Sequence, residues 1–176
     1  MSRKLGQLRK LILVMGLLAT PAFATTVQKM ELPELVSLSD SIVQGHVESV
    51  ESRLENKMVY TYTSVAVDDL LKGERRRTIL LRHQGGRVGA LNVLIAGMPH
   101  FNKGDQVIVF LRNRQDGTFD VIGLDQGKYD IVNDVAVANV SGVSIMDPKT
   151  GQISEAGFMD KAPLEAFKAQ IRGLVR

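Results

Sequence analysis

The fold is decided by residues 57–71, which read Lys-Met-Val-Tyr-Thr-Tyr-Thr-Ser-Val-Ala-Val-Asp-Asp-Leu-Leu. β-Branched and aromatic side chains dominate this stretch, and such residues suit a pleated, half-buried surface. The segment is therefore predicted to form a long β-strand. Residues 42–51 before it have a similar composition around Gly45 and are also predicted to form a strand. Glu55-Asn56-Lys57 supplies a hairpin turn between the two strands.

Further strands are predicted downstream at short spacing, with glycine-bearing turns and no long helix between them. This pattern predicts a mainly β protein: an antiparallel, OB-like β-barrel of five to seven strands within residues 25–140. The later strands are expected at residues 78–83, 92–96, 106–111, 118–122, 128–132 and 135–140. The expected core comprises Val43, Val47, Val65, Val67, Ile79, Leu81, Val107, Val109, Leu111, Val121 and Ile131.

Two short helices are expected to flank the barrel. Residues 31–41 have apolar side chains at partial helical spacing, with Pro33 in the first turn. Residues 141–176 are predicted to be a polar connection, over 141–160, and then a helix that docks on the barrel. The apolar residues on one face of this last helix are Leu164, Phe167, Ile171 and Leu174.

Residues 1–24 are predicted to be a secretory signal peptide. Four basic residues precede an apolar run at 11–19, which is too short to cross a bilayer. Ala22-Phe23-Ala24 then supplies small residues at the two positions that a signal peptidase reads. Cleavage near Ala24 would export a mature chain that begins near Thr25, without a transmembrane segment, to the periplasm or the medium.

Removal of this segment changes the charge of the protein. The whole chain has 22 Lys and Arg against 19 Asp and Glu, but the mature chain keeps only 18 of the basic residues, for a net charge of −1. A net charge of −1 does not indicate the basic surface that nucleic-acid-binding proteins present, so no specific nucleic-acid partner is predicted. The chain has no Cys, which excludes disulfides, thiolate nucleophiles and Cys-ligated metals.

The sequence offers little catalytic or metal-binding chemistry. His46, His83 and His100 lack the short spacing of paired metal ligands, so we interpret them as unrelated, and no metal or other cofactor is predicted. No Gly-x-Ser-x-Gly elbow is present. The adjacent Asp68 and Asp69 lie on opposite faces of a strand, which suits solubility better than acid–base work.

Two loops carry the residues best suited to binding. The first, Gln84 to Gly89, is rich in glycine but lacks the Gly-Lys-Ser/Thr of a phosphate loop. Arg87 in it offers a forked donor, and Phe101 in the second loop offers an apolar anchor. In the opposing interpretation the glycines form a plain turn, Phe101 plugs the barrel end and Arg87 is solvated. The candidate binding residues are Gly85, Gly86, Arg87, Pro99, His100 and Phe101, and the alternative is a basic hairpin of Arg75, Arg76 and Arg77.

Three segments together resemble a known family. They are residues 39–47 with an Ile-Val-x-Gly-x-Val strand, residues 60–73 ending in Leu-Lys-Gly, and residues 103–111 with Lys-Gly-Asp before an apolar strand. This layout resembles the OB-like barrel of netrin-like modules, the fold of tissue inhibitors of metalloproteases. Over residues 39–132 it is also similar to uncharacterised bacterial secreted proteins that share the Gly-Leu-x-Gln-Gly-Lys-Tyr pattern of residues 123–129. The inhibitors chelate zinc through an N-terminal Cys, which this chain lacks, so their inhibitory mode is not implied.

The preferred functional hypothesis is an exported, non-catalytic binding module. Its expected partner is a protein, such as a secreted protease, or a cell-envelope component, and the chain would act as an accessory or inhibitor-like protein. One alternative is a small secreted enzyme with a loop-built site around His83 and His100. The other is a structural factor of envelope assembly. The sequence carries no signal for an oligomeric state.

Overall fold

The computed structural model describes residues 25–140, 142–154 and 158–175. Over these ranges the protein is mainly β, as predicted, and no helix there is long and apolar enough to cross a membrane. The predicted signal peptide, with its cleavage site at Ala24, lies outside the described residues. The helices are α1 (Leu32–Leu38) and α2 (Leu164–Leu174). The strands are β1 (Thr26–Gln28), β2 (Ser41–Glu55), β3 (Met58–Lys72), β4 (Thr78–Gln84), β5 (Gly86–Val88), β6 (Leu91–Val93), β7 (Gln106–Asn113), β8 (Phe119–Val121), β9 (Lys128–Val132), β10 (Val135–Val140), β11 (Ser144–Met146), β12 (Ile153–Ser154) and β13 (Phe158–Pro163).

Five strands form a partly closed ring. The hydrogen-bonding order runs β2–β3–β4–β8–β7 and returns from β7 to β2. Neighbours in the ring are antiparallel except β4 and β8, which run parallel and meet at the pair Leu81 and Phe119. A purely antiparallel barrel is therefore not confirmed, because β8, which lies between β7 and β4, runs in the same direction as β4.

Two-residue turns set the hairpins on either side of β7. Asn56 and Lys57 join β2 to β3, and Asn133 and Asp134 join β9 to β10; all four have positive φ angles, between 49° and 67°. Positive φ at both central residues is the geometry whose twist matches the right-handed twist of the paired strands. The turn predicted at Glu55-Asn56-Lys57 is confirmed, and Asn133 and Asp134 join the strands expected at 128–132 and 135–140.

The remaining strands lie outside the ring. β9, β10 and β13 extend the sheet from β7, β1 pairs in parallel with β11, and β5 pairs with β6. Residues 84–89, predicted as a flexible loop, therefore contain a strand. The segment 141–160, predicted as a polar connection, contains β11, β12 and the start of β13, because Val143 and Ile145 bury their side chains in a small cluster with Val140.

The core has two compartments on either side of β7. The first fills the ring, and the second lies under both helices, where Phe110, Tyr129 and Phe167 pack together. β7 is buried on both faces, as its continuous apolar run predicts. The predicted core is confirmed, with Val67, Val121 and Ile131 only partly buried against the clusters.

Candidate functional site

The six candidate binding residues line one depression of about 450 Å³. Gly85, Gly86 and Arg87 come from the start of the β5–β6 hairpin, and Pro99, His100 and Phe101 come from the segment before β7. The two loops therefore meet at one region of the ring. We call this feature the loop depression.

The two glycines seat the hairpin on the ring. Thr61 Oγ1 donates to the Gly85 carbonyl at 2.7 Å, and the Gly85 amide donates to the Val59 carbonyl at 2.8 Å. Gly85 and Gly86 have φ angles of +96° and +120°, and a Cβ on Gly86 would overlap the hydroxyl oxygens of Ser52 and Thr61. Glycine is needed here for backbone conformation and close approach, so these two residues position the site.

The candidate residues of the second loop differ in exposure. Phe101 is 3% exposed and belongs to the ring core, with its ring centroid 6.0 Å from that of His83. It cannot serve as a projecting anchor, so the interpretation of Phe101 as a plug describes its place better. Pro99 is also buried, whereas His100 and Arg87 are exposed.

An exposed apolar rim, which was not among the residues predicted from the sequence, borders the depression. Leu94 is 85% exposed, Ile95 is 38% exposed and Val50 is 36% exposed, and all three line the depression. The signal was present in the run Val93-Leu94-Ile95-Ala96, whose side chains cannot all be buried by a short edge strand. β6 instead ends at Val93, and the two residues after it face solvent.

The loop depression is lined by one arginine and two histidines. Arg87 is the only Lys, Arg, Asp or Glu among the described residues that line it. Burial, and then the neighbouring charge of His100, lower the pKa of His83 to about 4, so this imidazole is neutral at neutral pH. Two of the three histidines, interpreted from sequence as unrelated, thus share one site.

Two neighbouring depressions contain charged side chains that form ion pairs. One shares His83 and Pro99 with the loop depression, and in it Arg114 Nη1 lies 3.0 Å from the Asp120 carboxylate. In the other, Lys128 Nζ lies 2.8 Å from Asp130, and burial raises the pKa of Asp125 to about 6. Over the described ranges, no group of three or more His, Cys, Asp and Glu side chains is placed to hold a metal ion.

The alternative basic hairpin lies elsewhere. Arg75, Arg76 and Arg77 are exposed in the turn between β3 and β4, and none of them lines the loop depression. Arg76 stacks 5.5 Å from the centroid of the Phe119 ring and pairs with Glu74 at 3.4 Å. These contacts give Arg76 a structural role at the point where the ring closes.

Comparison with known proteins identifies no family for this chain. No protein-family model matches the chain, and no curated protein matches it.

Proposed function

We propose that this protein is an exported, non-catalytic binding module whose loop depression holds a protein partner. The observation that carries the proposal is the exposed apolar rim of Leu94, Ile95 and Val50 around a depression built by two loops. Contiguous exposed apolar surface with a polar border is typical of interaction sites. A secreted protease is one partner class that the proposal includes.

We further propose that the five-stranded ring is an OB-like barrel of the netrin-like kind. The strand order supports this proposal: β2, β3 and β4 form a meander, β7 returns to pair with β2, and β8 lies between β7 and β4. A five-stranded, partly open Greek-key barrel that binds ligands through its loops has this character.

The hydroxyl groups near the depression argue for binding rather than catalysis. Ser52 Oγ and Thr61 Oγ1 lie 2.8 Å apart, and Ser52 Oγ also accepts the Arg87 amide at 3.2 Å. Both hydroxyls are thus engaged in holding the hairpin, which leaves neither as a free nucleophile. His83 is a weak base at neutral pH, because its pKa is about 4 and efficient general bases have a pKa near the working pH.

A capture experiment tests the proposed function. Tagged protein would be incubated with envelope and medium fractions of the source cells, and its partner identified by mass spectrometry. We expect Leu94→Ser to lose the captured partner, because an exposed apolar contact is removed without changing the core. Val132→Ser is the matched control, since Val132 is 54% exposed at the end of β9, outside the loop depression.

Equal capture by the wild type and Leu94→Ser would contradict the proposed site. Full binding by Arg87→Ala and His100→Ala as well would direct the search to Arg75, Arg76 and Arg77.

A further inference from the structure

We infer that the loop depression recognises a polypeptide segment in which a carboxylate lies beside a large apolar side chain. This inference rests on the proposed function and deepens it by naming the chemistry of the partner.

The positive charge of Arg87 favours a carboxylate on the bound segment. Arg87 is the one Lys or Arg among the described residues that line it, no Asp or Glu lies among them, and no acidic residue of the described ranges forms an ion pair with Arg87. The cations that line the two neighbouring depressions already have carboxylate partners: Arg82 pairs with Glu55 and Asp116, Arg114 pairs with Asp116 and Asp120, and Lys128 pairs with Asp130. A guanidinium that is not neutralised by its own chain is suited to a bidentate, charge-assisted bond with a carboxylate.

The backbone holds Arg87 in place for this contact. Its amide donates to Ser52 Oγ at 3.2 Å, and its Nε donates to the Gly89 carbonyl at 3.4 Å. These bonds leave the two terminal nitrogens of the guanidinium as donors for a ligand. Preorganisation of this kind lowers the entropy cost of binding.

The apolar lining of the depression favours a large apolar side chain on the bound segment. Val50, Leu94 and Ile95 form its rim, and the buried Pro99 and Phe101 lie beneath. A depression of about 450 Å³ is within the range of about 300 to 1,000 Å³ that is typical of ligand sites. It therefore has room for one large side chain and the backbone that carries it.

The exposure of Leu94 favours a polypeptide over a fatty acid or a lipid. Leu94 is 85% exposed and lines the neighbouring depression of Asp125 and Lys128 as well, so its apolar surface extends beyond the loop depression. A ligand confined to the depression would leave that surface in water. A protein segment with neighbouring residues can cover it.

The test begins with a random peptide library displayed on phage. Selection would use the protein purified after expression of the full chain, with counter-selection against Leu94→Asp. We expect the enriched peptides to contain Asp or Glu near an aromatic or large aliphatic residue. Each acidic residue would then be replaced by its amide, and binding measured by fluorescence anisotropy. The amide peptides should bind about tenfold more weakly, the effect of one lost charge-assisted hydrogen bond.

Variants of Arg87 connect this preference to the depression. Arg87→Gln should bind the acidic and the amide peptides equally, while Arg112→Gln, an exposed arginine on β7, keeps the tenfold preference. Arg87→Lys, which keeps the charge but loses the fork, should show an intermediate preference and serves if Arg87→Gln does not fold.

Three results would overturn the inference. They are a library that enriches no peptide, peptides whose amide analogues bind equally well, and Arg87-dependent binding of dodecanoate or phosphatidylglycerol vesicles in place of peptides. None of these results bears on capture of a partner through Leu94, so failure of the inference and failure of the proposed function are distinguishable.

Discussion

At the scale of single residues, His83 makes the stability of this protein depend on pH. Burial lowers its pKa to about 4 in the folded state, against an ordinary value of 6.5 for the unfolded chain. The unfolded chain therefore takes up a proton at a pH where the folded protein does not. The contribution of the neutral imidazole is fully present above about pH 6.5 and is lost as the pH falls towards 4.

The prediction for His83 uses the variant His83→Phe, which removes the titrating group and keeps a ring. Relative to this variant, the wild type should lose about 3 kcal/mol of unfolding free energy between about pH 7 and pH 4, the free-energy equivalent of the pKa difference. Urea unfolding at several pH values measures this change. Parallel pH curves for the two proteins would show that His83 is not held neutral by burial.

At the scale of secondary-structure elements, one carboxylate fastens helix α2 to the ring. Asp69 on β3 lies 2.7 Å from Lys168 Nζ and 2.7 Å from Arg172 Nη2. Burial acts to raise the pKa of Asp69, but the bonds from Lys168 and Arg172 outweigh burial and lower it. The interpretation of Asp68 and Asp69 as a pair that serves solubility is thus incomplete, because only Asp68 lies on the exposed face.

The matched pair of neighbouring aspartates supplies the second prediction. Asp69→Asn should lower the free energy of unfolding by about 1 kcal/mol, since a partly exposed ion-pair network is worth little more. Asp68→Asn is the control, because its partner His46 is exposed and lies 3.1 Å away. Thermal unfolding at neutral pH compares the two variants, and an equal loss in both would contradict the proposed role of Asp69 in fastening α2.

The third prediction concerns strand β7, which is buried on both faces. Val109 is 0% exposed between β2 and β9, so Val109→Asp would bury a charge without a partner. We expect a loss of several kcal/mol, close to the whole stability of a small domain. Val132→Asp, at an exposed position, should fold normally. Far-UV circular dichroism and urea titration distinguish the variants, and a cooperatively folded Val109→Asp protein would contradict the central position of β7.

At the scale of the whole molecule, the fourth prediction is that the chain is exported and cleaved. Mass spectrometry of the exported protein should find Thr25 as the first residue, because Ala22 and Ala24 occupy the positions that the peptidase reads. Replacement of Ala24 by a bulky residue should lead to accumulation of the uncleaved precursor. An exported, soluble chain that still begins at Met1 would contradict the prediction.

The sequence by itself determined the features that depend on local periodicity. The strand of residues 57–71, the turn at Asn56 and the apolar face of α2 follow from side-chain spacing and backbone geometry, which neighbouring residues impose. The choice of two candidate loops also came from residue type alone. These features required no knowledge of which distant segments meet.

Only the tertiary structure decided which distant residues meet. The contact of Asp69 with Lys168, the parallel closure of β4 with β8 and the shared position of His83 and His100 join residues far apart in the chain. The exposure of Leu94 also depends on the tertiary structure, because the same apolar run of residues can be covered by a neighbouring strand or left exposed to solvent. Burial and long-range pairing are properties of the whole packed molecule, and local sequence does not encode them position by position.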